Sequence, residues 1–115
     1  MLRFDVVTIF PEMFEAVTRH GITRRALEEG GFDFRAWNPR DFVDNPHRTV
    51  DDRPYGGGPG MVMLVKPLER ALVAVRAARQ DAQAVPLVHF TPTGRRIDQA
   101  VVREFAGGTG AVFLC

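Results

Sequence analysis

From end to end the chain alternates short apolar runs with segments of helical period, and no other feature restricts its fold as much. Residues 1–9 read as a mostly apolar strand through Phe4, Val6, Val7 and Ile9, broken at Phe10-Pro11, where proline suits the first turn of a helix. Phe10, Met13, Phe14 and Val17 then fall at i, i+3, i+4 and i+7, a single stripe. Glu12 lies near the positive end of that helix dipole, and Gly21 ends the helix. Thr23 is placed to cap a short second helix through Arg24, Arg25, Ala26 and Leu27, closed by Gly30-Gly31. The period then changes to two, with Phe32, Phe34 and Ala36 alternating with Asp33, Arg35 and Trp37 in a strand that closes at Asn38-Pro39. The clearest helix spans residues 67–79, with Leu68, Leu72 and Val75 on one side and Glu69, Arg70, Arg76 and Arg79 largely outside it. A polar link over residues 80–84 leads to an apolar strand over 85–90 and the turn Thr91-Pro92-Thr93-Gly94. A helix follows from Asp98, its N-cap, to Phe105. Residues 111–115 are a continuous apolar run of the kind buried on both faces of a parallel sheet.

Such alternation predicts an α/β fold: a largely parallel sheet with flanking helices and right-handed crossovers, in one domain without repeats. At 115 residues, 45% apolar and 25% charged, the chain is long and apolar enough for a true core. No apolar run is long enough to span a bilayer and no signal peptide opens the chain, so the expectation is a soluble, cytoplasmic protein without a membrane partner. The lone cysteine, Cys115, has no internal disulfide partner and no companions at metal-ligand spacing. A net charge of +1 points to no class of partner. The basic side chains are nonetheless almost all arginine, Lys66 being the exception, and arginine is the bidentate donor. The chain ends flush with a buried strand, which reads as a piece of a longer design.

Ligands of open parallel sheets collect at the carboxyl ends of the strands, so Phe10-Pro11, the turn after Phe90 and whatever follows Cys115 are expected to share one rim. Residues 40–60 have no sustained periodicity and carry Pro46, Pro54, Pro59, Gly56, Gly57, Gly58 and Gly60. So long a loop is the first place to seek a site. It matches neither the dinucleotide fingerprint nor the P-loop. What it offers is a glycine backbone that admits a planar ligand or phosphate, Arg48 and Arg53 as fork donors, and Tyr55 as a stacking face, a set that suits RNA. A Pro/Gly surface loop whose charges pair among themselves is the competing reading. Asp51 and Asp52 are adjacent in an extended segment and point opposite ways, so an arginine partner or a turn hydrogen bond is favoured over a general-base pair. His20 and His47 have no metal-ligand neighbours and are not assigned. The segment 87–98 is a strand, a tight turn and a helix start, where a parallel sheet presents backbone groups to a ligand. Within it Arg95-Arg96 reads as a solvated face.

At Thr49-Val50-Asp51-Asp52-Arg53-Pro54-Tyr55-Gly56-Gly57-Gly58-Pro59-Gly60-Met61 the chain resembles the bacterial tRNA (guanine-N1)-methyltransferase family. The likeness extends in family order to Ile9-Phe10-Pro11-Glu12-Met13-Phe14, Asn38-Pro39-Arg40-Asp41-Phe42, His47-Arg48, Thr91-Pro92, Gly94-Arg95 and Asp98-Gln99-Ala100. The resemblance implies an α/β-knot (SPOUT-like) methyltransferase domain truncated before the knot. It also implies methylation of guanine N1 next to the anticodon in tRNA, with S-adenosylmethionine as cofactor, Mg²⁺ for activity, and a homodimer across which tRNA lies; DNA is not a partner. By the same resemblance His89, Phe90, Thr91, Pro92 and Gly94 are cofactor-binding, the family often having Tyr at the first of these positions and Ser at the third. Arg48, Arg53, Tyr55, Gly58, Pro59 and Gly60 are substrate-binding. No catalytic or metal-ligating residue is assigned, because the family's catalytic aspartate and its partner arginine match nothing before Cys115. Residues 1–115 are accordingly expected to be the N-terminal part of the cofactor-binding domain, without the C-terminal tRNA-binding domain and inactive alone. The alternatives are a non-catalytic RNA-binding module and an inactive structural fragment with an exposed sheet edge.

Overall fold

The computed structural model describes residues 2–54, 56–80 and 85–115. Four strands form one sheet: β1 (Leu2–Val7), β2 (Phe32–Trp37), β5 (Leu87–His89) and β6 (Gly110–Leu114), in the order β2-β1-β6-β5. Every pairing is parallel. Each crossover therefore carries helix: α1 (Glu15–Thr18) and α2 (Gly21–Glu28) between β1 and β2, α3 (Val65–Ala78) on the way to β5, and α4 (Gln99–Ala106) between β5 and β6. The expected α/β architecture with a parallel sheet is what the chain adopts.

Register decides which side chains share a face. Phe4 stands beside Phe34 and Ala111, and Val6 beside Ala36 and Phe113, on one face; Asp5 beside Arg35 and Val112, and Val7 beside Trp37 and Leu114, on the other. Helix α3 covers the second face, where Val7, Ala71, Val75 and Val112 form the buried core with Trp37, Phe42, Leu68 and Leu72 packed around it. The first face is rich in phenylalanine: Phe4 stacks on Phe113 at 5.8 Å, and Phe14 from the turn after β1 meets Phe34 at 5.7 Å. Tight pairing at the start of β6 requires glycine. Gly110 has φ +115°, and a Cβ there would stand 1.9 Å from the carbonyl oxygen of Arg3.

Several local expectations are corrected. The segment after β1 is a 3-10 turn, Pro11–Phe14, running into the single turn of α1, and its stripe is not buried: Phe10 and Met13 are exposed and only Phe14 packs inward. Thr23 lies inside α2 and donates its hydroxyl to the carbonyls of Val17 and His20, while His20 occupies the N-cap position. The stretch 40–60 is not wholly irregular, since Pro39–Phe42 is a 3-10 turn and β3 (Asp51–Asp52) pairs antiparallel with β4 (Val62–Met63). Arg79 is not outside the core but 5% exposed. Its guanidinium donates to Asp5 at 2.8 Å and to the carbonyls of Arg3 and Thr109. The Asp98 cap stands, its carboxylate accepting the N–H of Val101 at 3.0 Å. Met1 and residues 81–84 of the polar link fall outside the described residues.

Candidate functional site

Parallel strands bring all their carboxyl ends to one rim, and hydrogen bonds beyond the strands hold it together. Thr8 donates its N–H to the Trp37 carbonyl and Cys115 to the Val7 carbonyl, so the ladders continue past β1 and β6. Two segments singled out in the sequence leave this rim, one after β2 and one after β5. These strands are the opposite edges of the sheet, so at about 4.8 Å per strand the two roots stand roughly 14 Å apart.

At the β5 edge the chain forms a cleft of about 630 Å³, a size suited to a small organic ligand. His89, Phe90, Thr91, Pro92 and Gly94 all line it. The turn is held from within: Gly94 donates its N–H to the Thr91 carbonyl at 3.2 Å, and the Thr91 and Thr93 hydroxyls are 3.1 Å apart. A Cβ on Gly94 would come within 3.2 Å of the Thr91 methyl, so glycine lets the turn close. The opposite wall comes from Ile97 and from Val101 and Phe105 of α4, one helical turn apart and therefore on the same face. Phe90 and Phe105 both pack on Phe113, tying the cleft to the sheet. Sequence reasoning missed this wall, although the i, i+4 spacing of Val101 and Phe105 was visible. Arg95 and Arg96 are exposed, as the reading of a solvated face expects, and they also border the cleft.

The segment after β2 carries the glycine loop, between β3 and β4. Val50 is fully buried and accepts the Leu64 N–H, which anchors the β3–β4 pair. Asp51 and Asp52 are consecutive residues of extended β3 and so face opposite ways, and the Asp52 carboxylate accepts the Arg53 N–H. Gly56, Gly57, Gly58 and Gly60 all have φ between +80° and +117°, and no atom stands within 4 Å of where a Cβ would lie on any of them. The loop is thus a left-handed backbone surface open to a flat ligand. Arg53 is exposed beside it. Arg48 differs: its guanidinium pairs with Asp41 and donates to the Arg40 carbonyl, and Arg40 in turn donates to the Arg48 carbonyl, so this fork is already occupied. Tyr55 falls outside the described residues. None of Arg48, Arg53, Gly58, Pro59 and Gly60 is among the residues that line the cleft at β5.

Comparison with known proteins covers almost the whole chain. A family model described as tRNA (Guanine-1)-methyltransferase TrmD matches residues 2–115. The tRNA (guanine-N(1)-)-methyltransferase of Leptothrix cholodnii is 60% identical over 114 residues, covering 99% of this chain and 45% of the relative. That of Bordetella parapertussis is 57% identical, again over 99% of this chain and 45% of the relative. The crystal structure of tRNA (m1G37) methyltransferase from Aquifex aeolicus superposes with a TM-score of 0.83 at 32% identity, covering 99% of this chain and 50% of that one. The chain therefore spans about half the length of these relatives.

Proposed function

The chain belongs to the tRNA (guanine-1)-methyltransferase family, and from that premise we propose that residues 1–115 are the N-terminal part of a cofactor-binding domain that methylates guanine N1 next to the anticodon of tRNA. The observation that carries this reading is the convergence of His89, Phe90, Thr91, Pro92 and Gly94 on one cleft at the carboxyl edge of a parallel sheet.

The residues present fit S-adenosylmethionine. Phe90 and Phe105 offer apolar surface to an adenine ring, the turn offers hydroxyls and backbone groups to its polar edges, and the volume suits a ligand of that size. When bound, the cofactor supplies a methyl group activated on a sulfonium sulfur. The chain's own part is to hold it: Gly94 keeps the turn closed and α4 shields one side from water. The glycine loop, with Arg53, presents an open backbone and a guanidinium to the tRNA. Guanine N1 must lose its proton to be methylated; on the family resemblance the base for that step matches no residue of this chain, and the reading is that this chain alone binds without transferring. Among the described residues there is no group of three or more histidine, cysteine, aspartate or glutamate side chains that could hold a metal ion; a Mg²⁺ requirement is proposed on the strength of the family alone, and no step is assigned to it. Among them, too, no helix is long and apolar enough to cross a membrane. The C-terminal tRNA-binding domain, a homodimer and a cytoplasmic location belong to the same proposal, on the strength of the family alone.

Calorimetric titration of S-adenosylmethionine into the folded chain tests it. Micromolar binding that weakens by about tenfold or more in Gly94→Val supports the cleft as the site. Silence from a sample shown to be folded removes it.

A further inference from the structure

Between β2 and β3 lies the single non-glycine residue with a left-handed backbone among the described residues, Arg48 at φ +52°. It is the fourth residue of the turn Asn45-Pro46-His47-Arg48, closed by its own N–H on the Asn45 carbonyl at 3.1 Å. Where asparagine opens a turn and proline follows, glycine is favoured at the fourth place, and a side chain resists the left-handed region. An arginine there has to be held by its surroundings. Arg48 donates Nε to the Arg40 carbonyl at 3.1 Å and pairs with the Asp41 carboxylate, while Arg40 donates back to the Arg48 carbonyl at 3.2 Å. Those partners are themselves fixed. The Asn38 side chain accepts the Arg40 N–H at the start of the Pro39–Phe42 turn, and Arg70 of α3 donates to the Phe42 carbonyl and to Asp44. Two residues past the left-handed turn comes Val50, fully buried, whose carbonyl accepts the Leu64 N–H at 2.6 Å at the base of the β3–β4 pair.

We propose that Arg48 is a positioning residue with Asp41 as its partner: the guanidinium holds the left-handed turn that seats Val50, and so sets the base from which the glycine loop projects. Arg48 then acts on RNA through the placement of that loop and not by a contact of its own. For RNA, the inference rests on the glycine loop facing tRNA. An arginine that binds phosphate uses a free fork, and a neighbouring acid weakens its field. In Arg48 a carbonyl and a carboxylate already occupy the fork. A side chain that works by holding a backbone angle can be replaced by glycine, which reaches φ +52° unaided, but not by alanine. The Arg48 carbonyl that Arg40 holds survives either substitution.

Amide hydrogen exchange at Leu64, whose N–H is bound by the Val50 carbonyl, reads the seat directly in the folded 115-residue chain. Arg48→Ala should speed this exchange by about fivefold or more, and Asp41→Asn should act in the same direction. Arg48→Gly should stay within about twofold of the native rate, and adding Asp41→Asn to it should change nothing further. Binding of an RNA hairpin that carries guanine 3′ to the anticodon, followed against salt, reads the consequence. Arg48→Gly should bind at least about fivefold more tightly than Arg48→Ala, and Asp41→Asn should weaken binding although it removes a negative charge. Exchange at Leu64 as slow in Arg48→Ala as in the native chain, or as fast in Arg48→Gly as in Arg48→Ala, overturns the inference. So does an equal loss of RNA affinity in those two variants with a salt slope lower by about one, the mark of a lost phosphate contact. If the exchange results come out as expected and the native chain binds no RNA, the reading of the glycine loop falls and the holding role of Arg48 stands.

Discussion

Asp5 has no solvent exposure and receives donors from three directions: Arg3 at 3.0 and 3.1 Å, Trp37 Nε1 at 2.9 Å and Arg79 at 2.8 Å. Burial pushes its carboxyl pKa up, but these donors together outweigh burial and hold it below the ordinary carboxylate value. Arg3 and Arg79 also donate to the carbonyls of Ala78 and Thr109, so one carboxylate fastens the end of α3 to β1 and to the start of β6. Removing the charge leaves two partly or wholly buried guanidiniums facing a neutral group, and Asp5→Asn is expected to cost about 3–5 kcal/mol in denaturant unfolding at neutral pH. The pH dependence has a definite sign. A depressed folded-state pKa gives stability that is present above the unfolded-state value and lost as pH falls through the folded one. The stability of the native chain should therefore fall in acid below the ordinary aspartate range. The Asp5→Asn curve should lack that limb and approach the native curve there; parallel curves through the acid range would show that Asp5 is not the group responsible.

At the scale of elements, α4 does two things: it covers part of the sheet, and it is one wall of the cleft through Val101 and Phe105. Its start depends on the Asp98 cap, whose loss in Asp98→Ala should cost about 1 kcal/mol in denaturant unfolding. Because the cap sits between the turn and the wall, ligand binding at the cleft should weaken in the same variant, and rescue by Asp98→Asn or Asp98→Ser would identify the cap as the cause. This helix and its cap were legible in the sequence, as were β2, with its bounds at Phe32 and Trp37, and the left-handed stop at Gly30, φ +78°. Helix α1 was not. A stripe at i, i+3, i+4 and i+7 predicts an amphipathic face, but Pro11 starts a 3-10 turn whose tighter winding, about three residues per turn, breaks that register before one α-helical turn is complete. Similarly, the place of Arg79 at the end of α3 suggested solvent, because helical spacing says nothing of an acid waiting on a strand 74 residues away in sequence.

Across the whole molecule, the two faces of the sheet are unequally covered. Helix α3 closes one of them over the Val7, Val75 and Val112 core. The other keeps an apolar trough of about 470 Å³ among Phe4, Phe14, Phe34, Val102 and Phe113, flanked by exposed Val17. Contiguous apolar surface of that kind binds apolar dyes in the folded state. The native chain should therefore enhance the fluorescence of an anilinonaphthalene sulfonate probe without denaturant. The signal should drop when Phe34→Ser or Phe113→Ser removes trough surface while circular dichroism shows the fold retained; an undiminished signal in both would place the dye elsewhere.

By itself the sequence determined the local and periodic: alternation set the fold class, glycine and proline set the turns, Asp98 set a cap, and the strand, turn and helix start around His89 to Gly94 singled out the segment that lines the cleft. These follow from the conformational limits of single residues and from spacing along one element, which a chain carries without folding. Tertiary structure decided what depends on distant residues meeting. Strand order put β2 and β5 at opposite edges of the sheet, packing joined Asp5 to Arg79 and set Val101 and Phe105 of α4 along the cleft, and Arg95 was paired with Glu104. Electrostatic and packing energies depend on separation in space, and separation in sequence does not give it.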